Sequence, residues 1–291
     1  MNYLAQVQRG IDFIEDHLDS EVAMGDVARI AGISQWHFQR IFKALTNETL
    51  KGYIRSRRLA NAFDKLIASE ARVIEIALEA GFDSQEAFTR AFKDAFGVTP
   101  AAHRKRGRRP GVFSKVRIDA DYLRQIHRNV SLEPEIFEAP EMHLIGMSTR
   151  IFGVESEKNN LGKKLPGLWS SFLPRIGEIE HTVAGTCYGV IRQAEEQGDE
   201  LEYSAVIGVT RTERIPDGMV SVHLPATRYA KFAHVGDVAN VDRTVNYVYS
   251  TWLAQSGFRH TYAPDLEIYG VEYQPCSEHS VMNYAIPVEQ G

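Results

Sequence analysis

The chain has 291 residues, a formal net charge of −5 and 44% apolar residues. This length is too great for one average domain and suits two domains, each able to bury its own core. The sequence contains no run of about eighteen apolar residues and no basic-then-apolar leader, so we expect a cytoplasmic protein rather than a membrane or secreted one. The two cysteines, Cys187 and Cys276, lie far apart without metal-ligand spacing, so neither a disulfide framework nor a structural zinc site is expected.

Charge is distributed unevenly along the chain. Residues 1–110 carry 17 Lys and Arg against 14 Asp and Glu, whereas the remaining residues carry 16 against 24. A basic first part suits a polyanionic partner, and an acidic second part suits a neutral or cationic one. The two parts are therefore expected to bind different molecules.

The first part of the chain is predicted to be all helix, beginning with an amphipathic helix over residues 3–18. Apolar side chains recur there at the spacing of a helix that packs one face on a core. They are Leu4, Val7, Ile11, Ile14 and Leu18.

Two helix-turn-helix units follow in tandem. The first is predicted over 22–31 and 35–45 and the second over 74–80 and 85–96, with a long helix over 50–67 that fixes their spacing. In each copy a glycine permits a positive φ angle, and a serine just after it can cap the second helix. Each second helix is the kind of element that enters a DNA major groove. The matched positions are Ala28 with Ala77, Gly32 with Gly81, Ser34 with Ser84 and Phe42 with Phe92.

The second helix of the first unit offers candidate base readers. Its buried stripe is predicted to be Phe38, Ile41 and Phe42. Arginine grips guanine bidentately, glutamine pairs with adenine, and an exposed tryptophan packs on thymine methyls or sugars. The alternatives are a core position for Trp36 and a solvated surface charge for Arg40. The side chains expected to face solvent or DNA are Gln35, Trp36, Gln39, Arg40 and Lys43.

The corresponding helix of the second unit is predicted to turn Phe88, Ala91 and Phe92 inward. Glu86 is unfavourable near phosphates. It could accept a hydrogen bond from cytosine N4, or it could weaken this unit or only stabilise the helix start through the helix dipole. The candidate contacts are Gln85, Glu86, Thr89, Arg90 and Lys93.

Five basic side chains are candidate phosphate contacts, with a solvated helix face as the alternative for each. A phosphate contact adds about one unit to the salt slope of binding and no base preference. Because two units on one rigid linker span about 34 Å of helix axis, a single chain can occupy an asymmetric site without a dimer. The five are Lys43, Arg55, Arg57, Arg58 and Lys93.

These residues resemble the AraC/XylS family of bacterial transcription regulators, particularly its MarA/SoxS/Rob branch. The resemblance covers about residues 5–107 and is carried by the stretches 36–42, 54–59 and 81–100. It implies two recognition helices in successive major grooves of double-stranded DNA and RNA polymerase as a partner. Glu86 and Ala87 depart from the branch, which has neutral polar residues there, so base preference at the second groove is less determined. The residues that match the base readers of the branch are Trp36, Gln39, Arg40, Gln85 and Arg90.

Residues 103–111, HRKRGRRPG, close the first predicted domain with charge and turn formers. A basic run without an apolar face is typical of an exposed linker, and a DNA phosphate contact is the alternative. We therefore predict a DNA-binding domain over 1–108, a linker over 109–132 and a second domain over 133–291.

The second part is predicted to be an α+β domain made of two β-α-β-β units. Strands are predicted over 141–151 and 228–235, each followed by a helix, over 165–176 and 241–255. A strand pair then ends each unit, 186–191 with 203–209 in the first and 266–273 with 280–286 in the second. Two such units joined at their sheet edges leave a cleft between their helices, which is a natural small-molecule site.

This second part resembles the GyrI-like effector-binding domain over about residues 133–290, through the stretches 168–172 (LWSSF) and 264–269 (PDLEIY). The resemblance implies a pocket for a lipophilic cation with one acidic residue, and Glu267 is the matching position. A carboxylate amid aromatic faces offers charge pairing and cation–π attraction to one ligand. The alternatives are core packing for each aromatic and a salt bridge to an arginine for Glu267. The candidate walls are Trp169, Phe172, Tyr188 and Tyr269.

The sequence thus predicts a ligand-responsive transcription regulator rather than an enzyme, with no cofactor. Two alternatives for the second domain are a hydrolase that uses a pocket glutamate as base and a module that binds a protein partner. No metal is assigned, because the histidines of this half show no ligand spacing. They are His127, His143, His181, His223, His234, His260 and His279.

Overall fold

The computed structural model describes residues 3–106, 133–195, 198–275 and 277–291. The predicted linker 109–132, His127 and Cys276 lie outside these residues. Within them, no helix combines the length and the apolar character that crossing a membrane requires.

The first described segment is helical, as predicted. A long helix, α4, separates two pairs of short helices that are each joined by a tight turn. The helices are α1 Tyr3–Asp16, α2 Met24–Ala31, α3 Gln35–Thr46, α4 Leu50–Ala68, α5 Val73–Glu79, α6 Gln85–Phe96 and α7 Pro100–Arg106.

The two predicted turns are confirmed by their backbone geometry. Gly32 and Gly81 have φ angles of 71° and 75°, in the left-handed region that favours glycine. The Ser34 hydroxyl accepts a hydrogen bond from the backbone N–H of His37, and the Ser84 hydroxyl accepts one from Ala87. The same local chemistry therefore begins α3 and α6.

The two helix-turn-helix units have separate cores. Phe38, Ile41 and Phe42 are buried in the first unit, as the helical spacing predicts. In the second unit Phe88 and Phe92 are fully buried in a cluster that also contains Leu59, Phe63 and Leu66 of α4. The long helix α4 is therefore part of the second core and sets the distance between the two units.

The second part is an antiparallel sheet with helices on one face. In the described residues, eight strands run in the order β1-β6-β9-β8-β3-β4-β2-β5, and β7 pairs with the end of β9. The strands are β1 Glu135–Ala139, β2 Met142–Phe152, β3 Thr182–Gln193, β4 Glu200–Val209, β5 Val220–Leu224, β6 Thr227–Val235, β7 Phe258–His260, β8 Asp265–Tyr269 and β9 Val281–Gln290.

Two helical segments cover the sheet. The first is α8, Leu161–Phe172, followed by the 3₁₀ turn Leu173–Glu178. The second follows the 3₁₀ turn Val238–Asn240. It begins as α9, Val241–Tyr247, continues as a π-helical stretch over Val248–Trp252 and ends as α10, Leu253–Gln255. A π-helical stretch re-aims the side chains that follow it and is frequent at functional sites.

The predicted duplication is confirmed. One unit is β2-α8-β3-β4, the other is β6-α9/α10-β8-β9, and they join where β3 pairs with β8. Strands β1, β5 and β7 were not predicted, because they are at most five residues long and a strand pattern is difficult to recognise over so few residues. Strand β1 pairs with β6, the first strand of the second unit, and β5 pairs with β2, the first strand of the first unit.

Helices of the first helix-turn-helix unit pack directly on the second domain. Helix α3 contacts α9 and the π-helical stretch, and α1 contacts α10. One hydrophobic cluster runs from the core of the first helix-turn-helix unit into the helix-covered face of the sheet. The face of α3 that meets the second domain is the one predicted to read DNA.

Candidate effector site and DNA-reading surfaces

Glu267 lies at the junction of the two sheet halves. It is opposite Gly189 of β3 and buried, and its Oε2 accepts hydrogen bonds from the hydroxyls of Tyr203 at 2.5 Å and Tyr269 at 2.8 Å. A Cβ on Gly189 would lie 2.2 Å from the Tyr203 hydroxyl and 2.7 Å from the Glu267 carboxylate. Glycine is therefore required at this strand position for the tyrosine and the glutamate to meet.

Three of the four predicted aromatic walls gather around this carboxylate. The Trp169 indole N–H donates to the Tyr203 hydroxyl at 3.1 Å, and its ring centroid lies 5.0 Å from that of Tyr269. The ring centroid of Phe172 lies 6.0 Å from that of Trp169, and Phe172 is fully buried, so it packs against the Trp169 ring as part of the core.

Tyr188 does not belong to this group, and its prediction as a wall was wrong. It pairs with Ile268, whereas Glu267 pairs with Gly189, so the two side chains leave the sheet on opposite faces. Tyr188 packs on the cluster of the other face, with Leu266 and Val190.

The predicted alternative of a salt bridge for Glu267 is not observed among the described residues, where its hydrogen-bond partners are the two tyrosine hydroxyls. Burial raises the pKa of Glu267, and the two hydroxyls and the more distant Arg40 charge partly offset that effect. A nearby positive charge would therefore stabilise the ionised form of Glu267.

Asp265, two residues before Glu267 on the same strand face, is a second buried acid that the sequence reading did not select. Its carboxylate accepts hydrogen bonds from Tyr249 at 2.6 Å, from Tyr284 and from His260 Nε2 at 2.9 Å. Burial opposes ionisation, but these hydrogen bonds and the charge of a nearby arginine outweigh it and lower the pKa of Asp265. Asp265 is therefore a buried anion.

That arginine is Arg40, a candidate base reader in α3. Its Nη2 donates to the Tyr284 hydroxyl at 2.7 Å, and its Cζ lies 4.9 Å from the ring centroid of Tyr249 and 5.4 Å from that of Trp36. Burial would lower the pKa of Arg40, but the surrounding tyrosines, Asp265 and Glu155 raise it instead, so the guanidinium stays charged. A cation from the DNA-binding part thus lies among aromatic rings and acids of the second domain.

Glu155 is a third buried acid near this guanidinium. Burial raises its pKa, and the Arg40 charge and the neighbouring Trp36 indole N–H partly offset the effect. Within the described residues neither Glu155 oxygen, nor Trp36 Nε1, nor Arg40 Nε has a hydrogen-bond partner of ordinary geometry. The contact between the two domains therefore leaves several polar atoms unsatisfied.

The predicted solvent exposure of the outer face of α3 was wrong. Trp36, Gln39 and Arg40 are 3%, 4% and 8% exposed, and Gln35 is buried as well. The amides of Gln35 and Gln39 donate to Asp199 Oδ1 at 3.3 Å and 3.0 Å. The face does point away from its own helical core, as the spacing predicts, but the second domain covers it.

Helix α6 presents its outer face to solvent. Gln85, Glu86, Arg90 and Lys93 are exposed, and Thr89 is half-buried. The candidate readers of the second unit are accessible in the same structure in which those of the first are covered.

The five candidate phosphate contacts are divided between different surroundings. Arg57 forms a bidentate pair with Glu15 at 2.7 Å and 2.9 Å, and Arg58 donates to the backbone carbonyls of Leu18 and Ser20. These two arginines therefore hold α4 to the end of α1 and do not extend freely towards a phosphate, contrary to the prediction.

The other three phosphate candidates are more accessible. Arg55 is exposed and pairs with Glu157 of the second domain at 2.8 Å. Lys43 is half-buried and donates to the Asn47 carbonyl at 2.8 Å, and Lys93 is exposed.

A buried cluster of His37, His260 and Asp265 brings three potential metal-ligating atoms together across the domain contact. His260 Nδ1 accepts a hydrogen bond from the Tyr262 backbone N–H at 2.9 Å, so the ring proton is on Nε2, which points at Asp265 and at His37 Nε2. A metal would need the Nε2 lone pair, so this geometry favours a hydrogen-bond relay. The fold also brings Glu141, His143 and His223 together on the surface, as it does Glu180, His181 and Glu213.

Comparison with known proteins gives the same two-part division. The helix-turn-helix domain family matches residues 27–106, and the GyrI-like small molecule binding domain family matches residues 132–289. The right origin-binding protein of Escherichia coli (strain K12) is 29% identical over 266 residues, which cover 88% of this chain and 87% of that protein.

Two further likenesses each cover one part. The regulatory protein SoxS of Escherichia coli (strain K12) is 37% identical over 106 residues, which cover 36% of this chain and 99% of that protein. The solved structure of SAV2435 bound to tetraphenylphosphonium aligns at a TM-score of 0.45 and 15% identity, over 54% of this chain and 94% of that chain.

A tandem helix-turn-helix domain joined to a small-molecule binding domain defines a DNA-binding transcription regulator. The chain belongs to the AraC/XylS family of regulators, and its second domain belongs to the GyrI-like family.

Proposed function

We propose that this regulator responds to a small lipophilic cation that binds beside Glu267. The observation that carries the proposal is a buried carboxylate held by two tyrosine hydroxyls and walled by Trp169 and Tyr269. Its raised pKa means that ionisation is costly without a counter-charge. A cation with apolar substituents would supply that charge and pack on the aromatic faces.

The test is thermal stability of the full chain with tetraphenylphosphonium and with triphenylphosphine oxide, a neutral compound of related shape. A ligand that binds only the native state stabilises it by mass action, about 2.7 kcal/mol at a hundredfold excess over Kd. We expect the melting temperature to rise with the cation and to stay unchanged with the neutral compound.

The matched variants are Glu267→Gln and Glu272→Gln. Glu272 is an exposed acid in the segment between β8 and β9, so its replacement should preserve the cation response, whereas Glu267→Gln should abolish it. An equal response in both variants would show that Glu267 is not the cation site. A response to a macromolecule and to no cation would instead favour a protein partner.

We further propose that the second domain binds its ligand without turnover, so the chain is not an enzyme. The catalytic alternative needs a glutamate base that reaches a water or substrate proton, but Glu267 Oε2 accepts from two tyrosine hydroxyls. Recovery of the cation and of ester test compounds intact after incubation is expected. Consumption of a bound compound would identify a hydrolase.

For DNA, we propose base contacts by Trp36, Gln39 and Arg40 in one major groove and by Gln85 and Arg90 in the next. One chain would then occupy an asymmetric site in double-stranded DNA, with Lys43, Arg55 and Lys93 as the accessible phosphate contacts. Selection of bound duplexes from random DNA should yield an asymmetric motif with two half-sites about one helical turn apart. A palindromic motif bound by two chains would contradict this arrangement.

We also propose RNA polymerase as a partner and the cytoplasm as the compartment in which the regulator acts. Run-off transcription from a template that carries the selected site, with and without the protein, measures whether the regulator acts on RNA polymerase. A change in transcript yield that depends on the site would support it, and equal yields with and without the site would count against it.

A further inference from the structure

The closed contact between the two domains covers the side chains that the proposed function needs for DNA. Trp36, Gln39 and Arg40 are almost fully buried, and a side chain in that state cannot reach base edges in a groove. The first unit therefore cannot read DNA until α3 separates from the second domain.

The surface that covers α3 supplies acceptors like those of DNA. Asp199 accepts hydrogen bonds from Gln35 and Gln39 and forms an ion pair with Lys51 at 2.7 Å. Glu157 pairs with Arg55, a candidate phosphate contact. Carboxylates of the acidic second domain thus accept hydrogen bonds and form ion pairs with side chains that would otherwise contact bases and phosphates.

At the centre of the contact, Arg40 has the chemistry proposed for the effector. It is a charged group of low hydration held by the rings of Tyr249 and Tyr284 and near the buried anion Asp265. Its hydrogen-bond partner Tyr284 is the cross-strand neighbour of Glu267. The guanidinium and a cation beside Glu267 would therefore lie in adjoining aromatic and acidic surroundings that meet at Tyr284.

The pairing of this buried charge is incomplete. Arg40 Nε, both oxygens of Glu155 and Trp36 Nε1 have no hydrogen-bond partner of ordinary geometry among the described residues, although the Trp36 indole is close enough to lower the pKa of Glu155. Buried polar atoms left unsatisfied weaken a contact, because each has lost its water without a replacement. The domain contact is therefore one that a competing ligand can open.

We propose that Arg40 is a built-in cation that holds the regulator closed, and that a cationic effector displaces it and releases α3 for DNA. The proposal rests on the proposed cation site and names its means of regulation. Because the closed form excludes both ligands, the effector and DNA each favour the open form and strengthen the binding of the other. If the open fraction without ligand is f, the largest possible gain in DNA affinity is 1/f.

The experiment measures exposure of Trp36 by hydroxyl-radical footprinting of the full chain, read by mass spectrometry. Trp36 should be protected without ligand and should react several-fold faster with tetraphenylphosphonium, but not with triphenylphosphine oxide. Phe38, in the same helix but buried in the core of its own unit, should stay protected throughout and serves as the internal control.

A variant that opens the contact without changing the cation site or a base reader provides the second arm. Asp199→Asn weakens the acceptor of Gln35, Gln39 and Lys51, so Trp36 should become reactive without any cation. The same variant should bind the selected duplex about three- to tenfold more tightly and gain less from the cation. Asp217→Asn, an exposed position of the same domain, should behave as the wild type.

The two proposals fail in different ways. A rise in melting temperature with tetraphenylphosphonium while Trp36 stays protected would overturn the displacement of Arg40 and leave the cation site standing. Absence of any rise would overturn the cation site itself. Unchanged Trp36 protection and DNA affinity in Asp199→Asn would show that the contact does not compete with DNA.

Discussion

The helices α3 and α6 begin with the same serine cap after the same glycine turn, yet their outer faces have different surroundings. Trp36 and Arg40 of α3 lie against the second domain, whereas Gln85 and Arg90 of α6 are exposed. The local sequence determines each motif and its inward face, and the rest of the chain determines whether its outward face is free.

This difference gives the two units different tasks. In the proposed mode of DNA binding, the exposed α6, which includes Lys93, would make a first contact with DNA in the closed form, and α3 would add its base contacts only after opening. The acidic second domain is what distinguishes the two units, since it contributes Asp199, Glu155 and Asp265 to the surroundings of α3.

The largest expected effect is from Asp265→Ala. The change removes the anion that accepts hydrogen bonds from His260, Tyr249 and Tyr284, and takes away a buried carboxylate that favours the charge of Arg40. Breaking a buried charged network in this way costs about 3–5 kcal/mol. Urea denaturation followed by far-UV circular dichroism should show the loss.

The control for Asp265→Ala is Asp217→Ala, because Asp217 is exposed. That variant should unfold at the wild-type urea concentration. Trp36 should also become reactive to hydroxyl radicals in Asp265→Ala and remain protected in the control. A stability equal to that of the control would mean that the network does not hold the domains together.

Arg40→Ala and Arg90→Ala compare the two recognition helices directly. Each should lose about 1–3 kcal/mol of base discrimination on the selected duplex, because each would remove one of the proposed base contacts, which for arginine is a bidentate contact with guanine. Only Arg40→Ala should also bind tetraphenylphosphonium more tightly, since it removes the internal competitor. Fluorescence anisotropy for DNA and calorimetry for the cation measure the two effects.

Retention of sequence-specific binding by Arg40→Ala would eliminate this residue as a base reader. Equal cation affinity in Arg40→Ala, Arg90→Ala and the wild type would show that Arg40 does not occupy the cation site. Because the two readouts are independent, either role can fail without the other.

Local patterns were sufficient to predict the helical part of the fold and half of the site. The glycine turns, the serine caps and the buried stripe containing Phe42 follow from backbone geometry and helical spacing, which act over a few residues. Glu267 was identified through the resemblance to the GyrI-like family, and its place in an apolar strand, where an acid needs a partner, supported that choice. The gathering of Trp169 and Tyr269 around it follows from the duplicated fold.

The rest depended on long-range placement. Tyr188 was assigned to the wrong face of the sheet. Its face is determined by the pairing of β3 with β8, which places it opposite Ile268, and this register is not evident from the sequence of either strand alone. Asp265 could have been found, since its spacing of two from Glu267 puts both on one strand face. No local signal shows that Asp199 covers Gln39, because those residues are 160 positions apart.

Ser34→Ala and Ser84→Ala test whether the two caps remain equivalent once the domains are joined. Loss of either cap should cost about 1 kcal/mol, because one backbone N–H loses its acceptor. Ser34 also lies 2.8 Å from His37 Nδ1, at the domain contact, so its replacement should cost more than that of Ser84. Melting temperatures measure the difference, and a larger loss in Ser84→Ala would contradict the expected order.

The smallest expected effect is a pH dependence of closure through His37. Burial, with nearby His260 and Arg40, lowers the pKa of His37 well below its usual value. The titratable and charged groups that face the ring are Arg40, His260, Asp265, Tyr249 and Tyr262.

The closed form therefore binds fewer protons at His37 than the open form does. The contribution of neutral His37 to the free energy of closure is fully present well above the usual histidine pKa of about 6.5. It is lost as the pH falls below that value, and the free energy of closure is then about 0.8 kcal/mol less favourable at pH 6.0. Trp36 should accordingly react faster at pH 6.0 than at pH 7.5. Burial raises the pKa of Glu155 in the closed form, so its protonation acts in the opposite direction and favours closure as the pH falls. The informative quantity is therefore the difference from His37→Gln, which keeps that acid and cannot titrate at position 37. An identical pH response in both proteins would show that His37 does not control closure, whereas a weaker response in His37→Gln would assign the effect to the histidine that joins α3 to the second domain.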